Sequence, residues 1–312
     1  MGRRRFGHIG TKVKDITQSA TENSGVFDIN EVAILVAENK WKKFNTVPVT
    51  IHMGAGGGGG GAGQGHSGWG YFRGAGGGAG GYITGTGEHF YPNVSYAVTI
   101  GGGGGGQSNG NDTTLAIDGA TLTCKGGGRG GNGSGNYQGS GTGSSGGSGG
   151  GGGTVFANVR PYDSHGYNAG QGTQDNQTVP SGFSTLGNDG GKGNRGSGFS
   201  DGNPPPGRSG GSASGGTYNQ NSTGKGAGTT VTPLGYEVCK GGEGNTANRG
   251  HGGTEGHSQS GGSGFVYILF PSTYTCTATN LGNTQGTYAE PGGDTYKYIH
   301  ITSGTGGTIV FS

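Results

Sequence analysis

Residues 47–65 read VPVTIHMGAGGGGGGAGQG, and the change of grammar inside this stretch decides the fold. Residues 47–53 are rich in β-branched and aliphatic side chains, the composition of a strand. The six glycines that follow, Gly56, Gly57, Gly58, Gly59, Gly60 and Gly61, have no side chain to bury. They can take an extended left-handed helix of three residues per turn, with about 3.1 Å rise per residue and no internal hydrogen bonds. Every N–H and C=O must then pair with a neighbouring segment or with water. An interior helix in such a bundle is crowded on all sides, so glycine is demanded there for the reason that it is demanded at the collagen axis. Six residues at that rise span about 19 Å.

Working outward, the same alternation recurs along most of the chain. GGAGGYITG (77–85) leaves a glycine tract, and VSYAVTI (94–100) enters a second one, Gly101, Gly102, Gly103, Gly104, Gly105 and Gly106. TTLAIDGATLTCKGGG (113–128) and LGYEVCKGGEG (234–244) enter tracts, whereas GGSGGGGGTVFANV (146–159) and GGSGFVYILF (261–270) leave them. Alternation of Val94, Tyr96, Val98 and Ile100 supports strand on period two. Cys124 and Cys239 each open a Cys-Lys-Gly-Gly piece at the same place in this grammar, which accounts for them without any chemistry.

Composition bounds what can be built. Glycine is 85 of 312 residues and proline 10, whereas Val, Ile, Leu and Phe supply about one residue in seven. Folding must offset roughly 1–2 kcal/mol of backbone entropy per residue, and glycine loses the most, so no large conventional core is expected. Ordered tracts held by backbone hydrogen bonds are the expectation, not a flexible linker. With 12% charged residues and a net charge of +2, no acidic or basic partner is implied. Three cysteines without CxxC spacing suggest neither a disulfide framework nor a zinc site.

Residues 1–45 differ from the remainder, with eight Lys or Arg against five acids. GVFDINEVAILVAENKW (25–41) predicts a short amphipathic helix, because Asp28 can cap, Glu31 sits three residues on and Phe27 can staple onto Val32. Its apolar residues Phe27, Val32, Val36 and Trp41 are the candidates for docking to another part of an assembly. The basic start lacks the apolar run of a secretory signal peptide, and no segment approaches the length of a membrane-spanning helix. The fold expected is mostly irregular and β. It comprises a polyglycine-II helix bundle (a sandwich) with short strands at its ends, one short N-terminal α-helix and a small C-terminal β module. The boundaries drawn are 1–45, 46–270 and 271–312.

On VTIHMGAGGGGGGAG (49–63), GGAGGYITG, SYAVTIGGGGGG (95–106), LTCKGGGRGGNGSG (122–135) and GGSGFVYILF, the chain resembles the glycine-rich adhesins and tail-fibre proteins of tailed phages. The tips of some T-even-like long tail fibres belong to that group. SGVFDINEVAILVAENKW (24–41) is similar to a segment of cyanophage and marine-phage fibre proteins. The resemblance covers roughly residues 47–270. It implies a virion structural protein, made in the host cytoplasm, in which polyglycine-II helices form a sandwich and the loops between them attach to the host surface. The partners implied are other virion proteins of fibre, baseplate or head, and a host polysaccharide or outer-membrane protein. A homotrimer is one oligomeric option. No cofactor, metal, nucleic acid or enzymatic activity is expected. The rival expectation is a purely structural spacer or self-assembling filament subunit.

Two loops break the glycine grammar. NVRPYDSHGYNAGQGTQDNQTVPSGFSTLGND (158–189) holds Tyr162, His165, Tyr167 and Phe183, and SDGNPPPGRSGGSASGGTYNQN (200–221) holds Arg208 and Tyr218. Exposed Tyr among Asn, Ser and Gly is the composition of adaptable binding loops, so these six residues are the receptor-binding candidates. The opposing reading is that the rings pack over the edge of the slab. Other motifs fail on context. GxSxG around Ser145 and Ser148 lies within glycine and lacks the strand-turn-helix of a nucleophile elbow. His251 and His257 would stand roughly 19 Å apart on an extended helix, too far to share one ion. Asp163, Asp175, Asp189 and Asp201 lie in loop-like sequence where solvated carboxylates are the norm.

Overall fold

The computed structural model describes residues 46–66, 70–133, 141–156, 168–193, 195–196, 226–244, 246–254, 258–290 and 293–312. The helix predicted over 25–41, with Phe27, Val32, Val36 and Trp41, lies outside these residues. The described chain is mostly β with irregular connections, and its one helical element is a 3-10 turn at Thr232–Leu234.

The strands are β1 (Val47–Gly54), β2 (Gln64–His66), β3 (Gly70–Phe72), β4 (Tyr82–Phe90), β5 (Ser95–Thr99), β6 (Thr113–Ile117) and β7 (Ala120–Cys124). They continue as β8 (Val155–Phe156), β9 (Phe183–Leu186), β10 (Arg195–Gly196), β11 (Thr229–Val231), β12 (Tyr236–Val238) and β13 (Phe265–Pro271). The last four are β14 (Cys276–Thr279), β15 (Gly282–Ala289), β16 (Thr295–Ser303) and β17 (Gly307–Phe311). Two antiparallel sheets dominate, one of six strands in the order β15-β16-β13-β1-β4-β9 and one of five in the order β14-β17-β5-β6-β7.

A conventional core joins the two sheets, contrary to the expectation from composition. β1 turns Val47, Val49, Ile51 and Met53 inward on period two. They meet Ile83, Val98, Leu115, Leu122, Val266, Ile268, Ile299 and Ile309, with Phe90, Phe270 and Phe311 in edge or tilted ring contacts. A chain-wide average concealed this core, because the tracts consume glycine and leave the few large side chains concentrated in strands. β13 is the central case. Its run FVYILF is buried at every position, as for a strand covered on both faces. Val266, Ile268 and Phe270 face the inter-sheet core, whereas Phe265, Tyr267 and Leu269 meet Tyr82, Val231, Val238 and Cys239 on the outer face.

The C-terminal residues do not stand apart as the module drawn at 271–312. β16 pairs with β13, and β17 pairs with β5, so the segment completes both sheets. A local β pattern marks a strand but not its partner, which here lies far away in sequence.

The glycine tracts that follow β1, β5 and β7 and precede β4 and β13 begin or end at one edge of these sheets. Gly54 closes β1 opposite both Tyr82 and Phe265, so tracts leave β1 and reach β4 and β13 side by side. Within residues 56–61 the donors follow a period of three. Gly56 and Gly59 donate to Asn111 and Ser108, Gly57 and Gly60 to Gly262 and Gln259, and Gly58 and Gly61 to Gly78 and Ala75. Falling partner numbers mean that these three neighbours run antiparallel. The carbonyls of Gly57 and Gly60 accept from Gly104 and Gln107, and those of Gly56 and Gly59 from Gly127 and Gly130, so these neighbours run parallel.

A Cβ at each of these glycines would collide with a parallel neighbour. It would stand 2.1 Å from the carbonyl oxygen of Gly102 at Gly56, 2.0 Å from that of His251 at Gly57 and 2.2 Å from that of Gly128 at Gly58. Gly59, Gly60 and Gly61 repeat the set on Gly105, Thr254 and Gly131. None of the six has a positive φ, so close approach and not left-handed backbone requires glycine here. Residues 101–106 differ. Gly103 and Gly104 would clash with Gly261 and Ser108, but Gly105 faces open space and Gly102 meets only Asn111 Nδ2 at 3.7 Å. Those two are therefore not structurally demanded, because residues 101–106 lie at the margin of the slab, where every third position faces outward.

Candidate functional site

The tracts have two distinct ends. At the sheet end, Ala55 donates to Gly81, Gly81 to Lys125 and Gly264 to Gly101. At the far end, Gly61 donates to Ala75, Gly133 to Ala62, Gly153 to Gly141 and Thr154 to Arg73. The chain leaves the described residues at 133 and rejoins them at 141, and both positions belong to the far end. It leaves again at 156, and residue 168 rejoins near Gly143, whose N–H donates to the Asn168 carbonyl. Gly193 stands against Gly153, and residues 195–196 pair with β8, so the departure toward 197–225 is at the same end. The segment carrying Tyr162, His165 and Tyr167 is thus attached at both its ends where the tracts end, whereas the one carrying Arg208 and Tyr218 departs there but rejoins at Gly226, beside Gly241 and the outer face of the six-stranded sheet. Those five residues themselves lie outside the described residues.

Phe183 is the one receptor-binding candidate among the described residues. It opens β9, is half-buried, and its ring lies 4.7 Å from that of His89 while packing against the main core. It therefore packs at the edge of the six-stranded sheet. Gly182 precedes it with φ 90°, which turns the chain into β9.

Three of the polar groups singled out as chemical motifs, His251, Ser145 and Asp189, are occupied in holding backbone. His251 is almost fully buried, and its Nδ1 accepts the Lys240 N–H at 3.0 Å. Burial pulls its pKa down to about 4. Ser145 Oγ accepts from Gln171 N–H, and Asp189 Oδ1 accepts from Gly172 N–H at 2.7 Å. Ser148 is buried among glycines. Cys124, Cys239 and Cys276 are free and buried, and burial pushes all three thiols up, away from reactivity. Among the described residues no three His, Cys, Asp or Glu side chains gather to hold a metal ion, and no helix is long and apolar enough to cross a membrane.

Two features escaped sequence reasoning. Gln174 is fully buried at the sheet end, where Oε1 accepts the Lys125 N–H at 2.7 Å and Nε2 donates to the Thr123 carbonyl. It seals the outer edge of β7 at the point where strand becomes tract, and nothing in its neighbours TQDN signals this. The outer face of the six-stranded sheet carries a tyrosine file: Tyr267 stacks on Tyr298 at 5.3 Å, Tyr296 and Tyr288 lie directly opposite one another, and the Arg249 guanidinium sits 3.9 Å over Tyr236. Alternating Tyr296 and Tyr298 was a legible signal for this face. Comparison with protein-family models, curated proteins and solved structures finds no match.

Proposed function

We propose that this chain is a phage virion protein, a tail-fibre or adhesin subunit whose polyglycine-II bundle carries host-binding loops at its far end. The observation that supports it most is the attachment of the segments 134–140 and 157–167 to one end of a set of hydrogen-bonded tracts, the end from which the segment 197–225 also departs. The period of three in donors and in Cβ collisions is the pattern that side-by-side polyglycine-II helices require, each with six neighbours. A lattice of this kind is polar, short of side chains and rigid, because an interior segment such as 56–61 is tied on every side. Rigid scaffolds with irregular loops at one end are suited to recognition. The β-sandwich at the opposite end closes the bundle and aligns the tracts.

The test is adsorption. Tyr162→Ala with Tyr167→Ala should leave melting unchanged and lower adsorption of purified protein to host cells at least tenfold, about 1.4 kcal/mol, as loss of two aromatic anchors would. Unchanged adsorption by the folded double variant would transfer recognition to Arg208 and Tyr218, or favour a spacer role. Packing of Phe183 onto His89 is the observation that favours the spacer reading.

A further inference from the structure

β15 is the longest open edge of either sheet, and it lacks the usual protection. Among the described residues no strand lies on its far side, and six of its eight residues are exposed. Natural edges are blunted by charge, proline, short length or cover, since an unpaired row of N–H and C=O groups invites another strand. GNTQGTYA contains no charged residue and no proline. The other edges are treated differently. β9 and β14 have four residues each, and the end of β7 is sealed by Gln174.

We infer that β15 pairs antiparallel with β15 of a second copy of this chain, joining two six-stranded sheets about a two-fold axis. The strand offers neutral side chains and no charge that would select a foreign sequence, so recognition falls to the main chain. A strand that runs antiparallel to itself meets the same groups in both directions, which closes the assembly at two copies. Pairing with β16 is irregular at Gly282/Asn283, leaving 283–289 as the regular part of the edge. Gly286 is its middle residue. With Gly286 opposite Gly286, Thr284 faces Tyr288 on the outer face, a β-branched and aromatic pair of the kind that stabilises sheets. Gln285 then faces Thr287, and the tyrosine file of one copy continues into the next.

The experiment measures mass by light scattering and sedimentation on the full chain across a concentration series. The wild type should reach twice the 30.7 kDa chain mass. Gln285→Lys with Thr287→Lys places four lysines face to face in this register. It should raise the dissociation constant at least tenfold, while the isolated chain stays folded with only the small loss that a lysine opposite Lys297 brings. Gln285→Glu with Thr287→Lys places opposite charges across the axis and should restore the dimer. The alternate amides of 283–289 that point away from β16 should lose hydrogen-exchange protection on dilution. A monomeric wild type, a trimer, an open-ended filament, or a dimer indifferent to the lysine pair would overturn the inference. So would failure of the Glu/Lys variant to recover what the Lys/Lys variant loses.

Discussion

Gly57 and His251 approach so closely that a β-carbon on the glycine would lie 2.0 Å from the histidine carbonyl oxygen. Real β-carbons do not sit at that distance, so the contact fixes the identity of residue 57 as firmly as a catalytic requirement would. The same geometry distinguishes neighbours one position apart. Gly103→Val with Gly104→Val should cost several kcal/mol, about 2–6 in sum, because both side chains would drive into backbone that cannot yield. Gly102→Ala with Gly105→Ala should change the melting temperature little, since both positions face outward. Calorimetry on the two double variants checks this, and equal melting of the pair would refute the reading of the tracts as close-packed.

Gln174 gives a second, independent measure of the junction between strand and tract. Gln174→Ala would strand the Lys125 N–H and the Thr123 carbonyl in a buried place. Each unsatisfied group costs about 1–3 kcal/mol, so denaturant melts should show a loss in that range or above it. Gln174→Glu keeps the acceptor for Lys125 but turns a carboxylate toward the Thr123 carbonyl, and should be no better tolerated. A loss below about 0.5 kcal/mol for the alanine variant would mean that the seal is redundant.

Buried histidines set a pH dependence. His52 hydrogen-bonds Tyr82 and Thr84 through Nδ1, and burial lowers its pKa from 6.5 to about 4. Desolvation does the same to His251, with the Arg249 charge adding to it. The unfolded chain therefore binds more protons between these values. Stability is fully present above about pH 6.5 and falls as pH drops toward about 4, by on the order of 3 kcal/mol for each histidine. Thermal melts at steps from pH 8 to pH 4 should be flat at first and then decline. His52→Gln should reduce the slope, and an unaltered slope in that variant would assign the acid loss to other groups.

Residues 1–45 carry the proposed docking helix. Deleting them should leave melting of the sandwich unchanged while abolishing incorporation into virions, through loss of Phe27, Val32, Val36 and Trp41. Particles counted by immunoblot after complementation with the truncated gene provide the readout. Normal incorporation would place the attachment surface on the sandwich itself.

Much of this architecture was legible in the sequence where the signal was local. Strand after strand gives way to glycine at the predicted places, as at Gly54 and Gly101, because both conformations leave their mark on consecutive residues. Pairing was not legible. Thr50 lies opposite Leu269, and Gly307 opposite Val98, and no local pattern encodes such partners. Hence the boundary at 271 cuts through two sheets, and the core around Ile51 and Leu115 was underestimated. Gly102 and Gly105 could not be told from Gly103 and Gly104, since the sequence GGGGGG contains no phase. Only the position of residues 101–106 at the slab margin supplies it. Of the candidate site, the place of Phe183 on an edge strand was not legible, because a half-buried ring at an edge and an exposed ring in a loop have the same neighbours in sequence.

The period of three also quantises how this molecule can change length. One glycine added to residues 56–61 would rotate everything downstream by a third of a turn, delivering Ala62 to the wrong neighbour and swinging the departing chain to another side. Three added glycines would restore the facing and, in the proposed polyglycine-II geometry, carry the far end outward by about 9 Å. Every bonded neighbour would have to gain the same triplet to keep pace. Reach and loop direction are therefore separate inheritable quantities: one grows in whole triplets shared by all segments, and the other is free to vary beyond the last bonded residue.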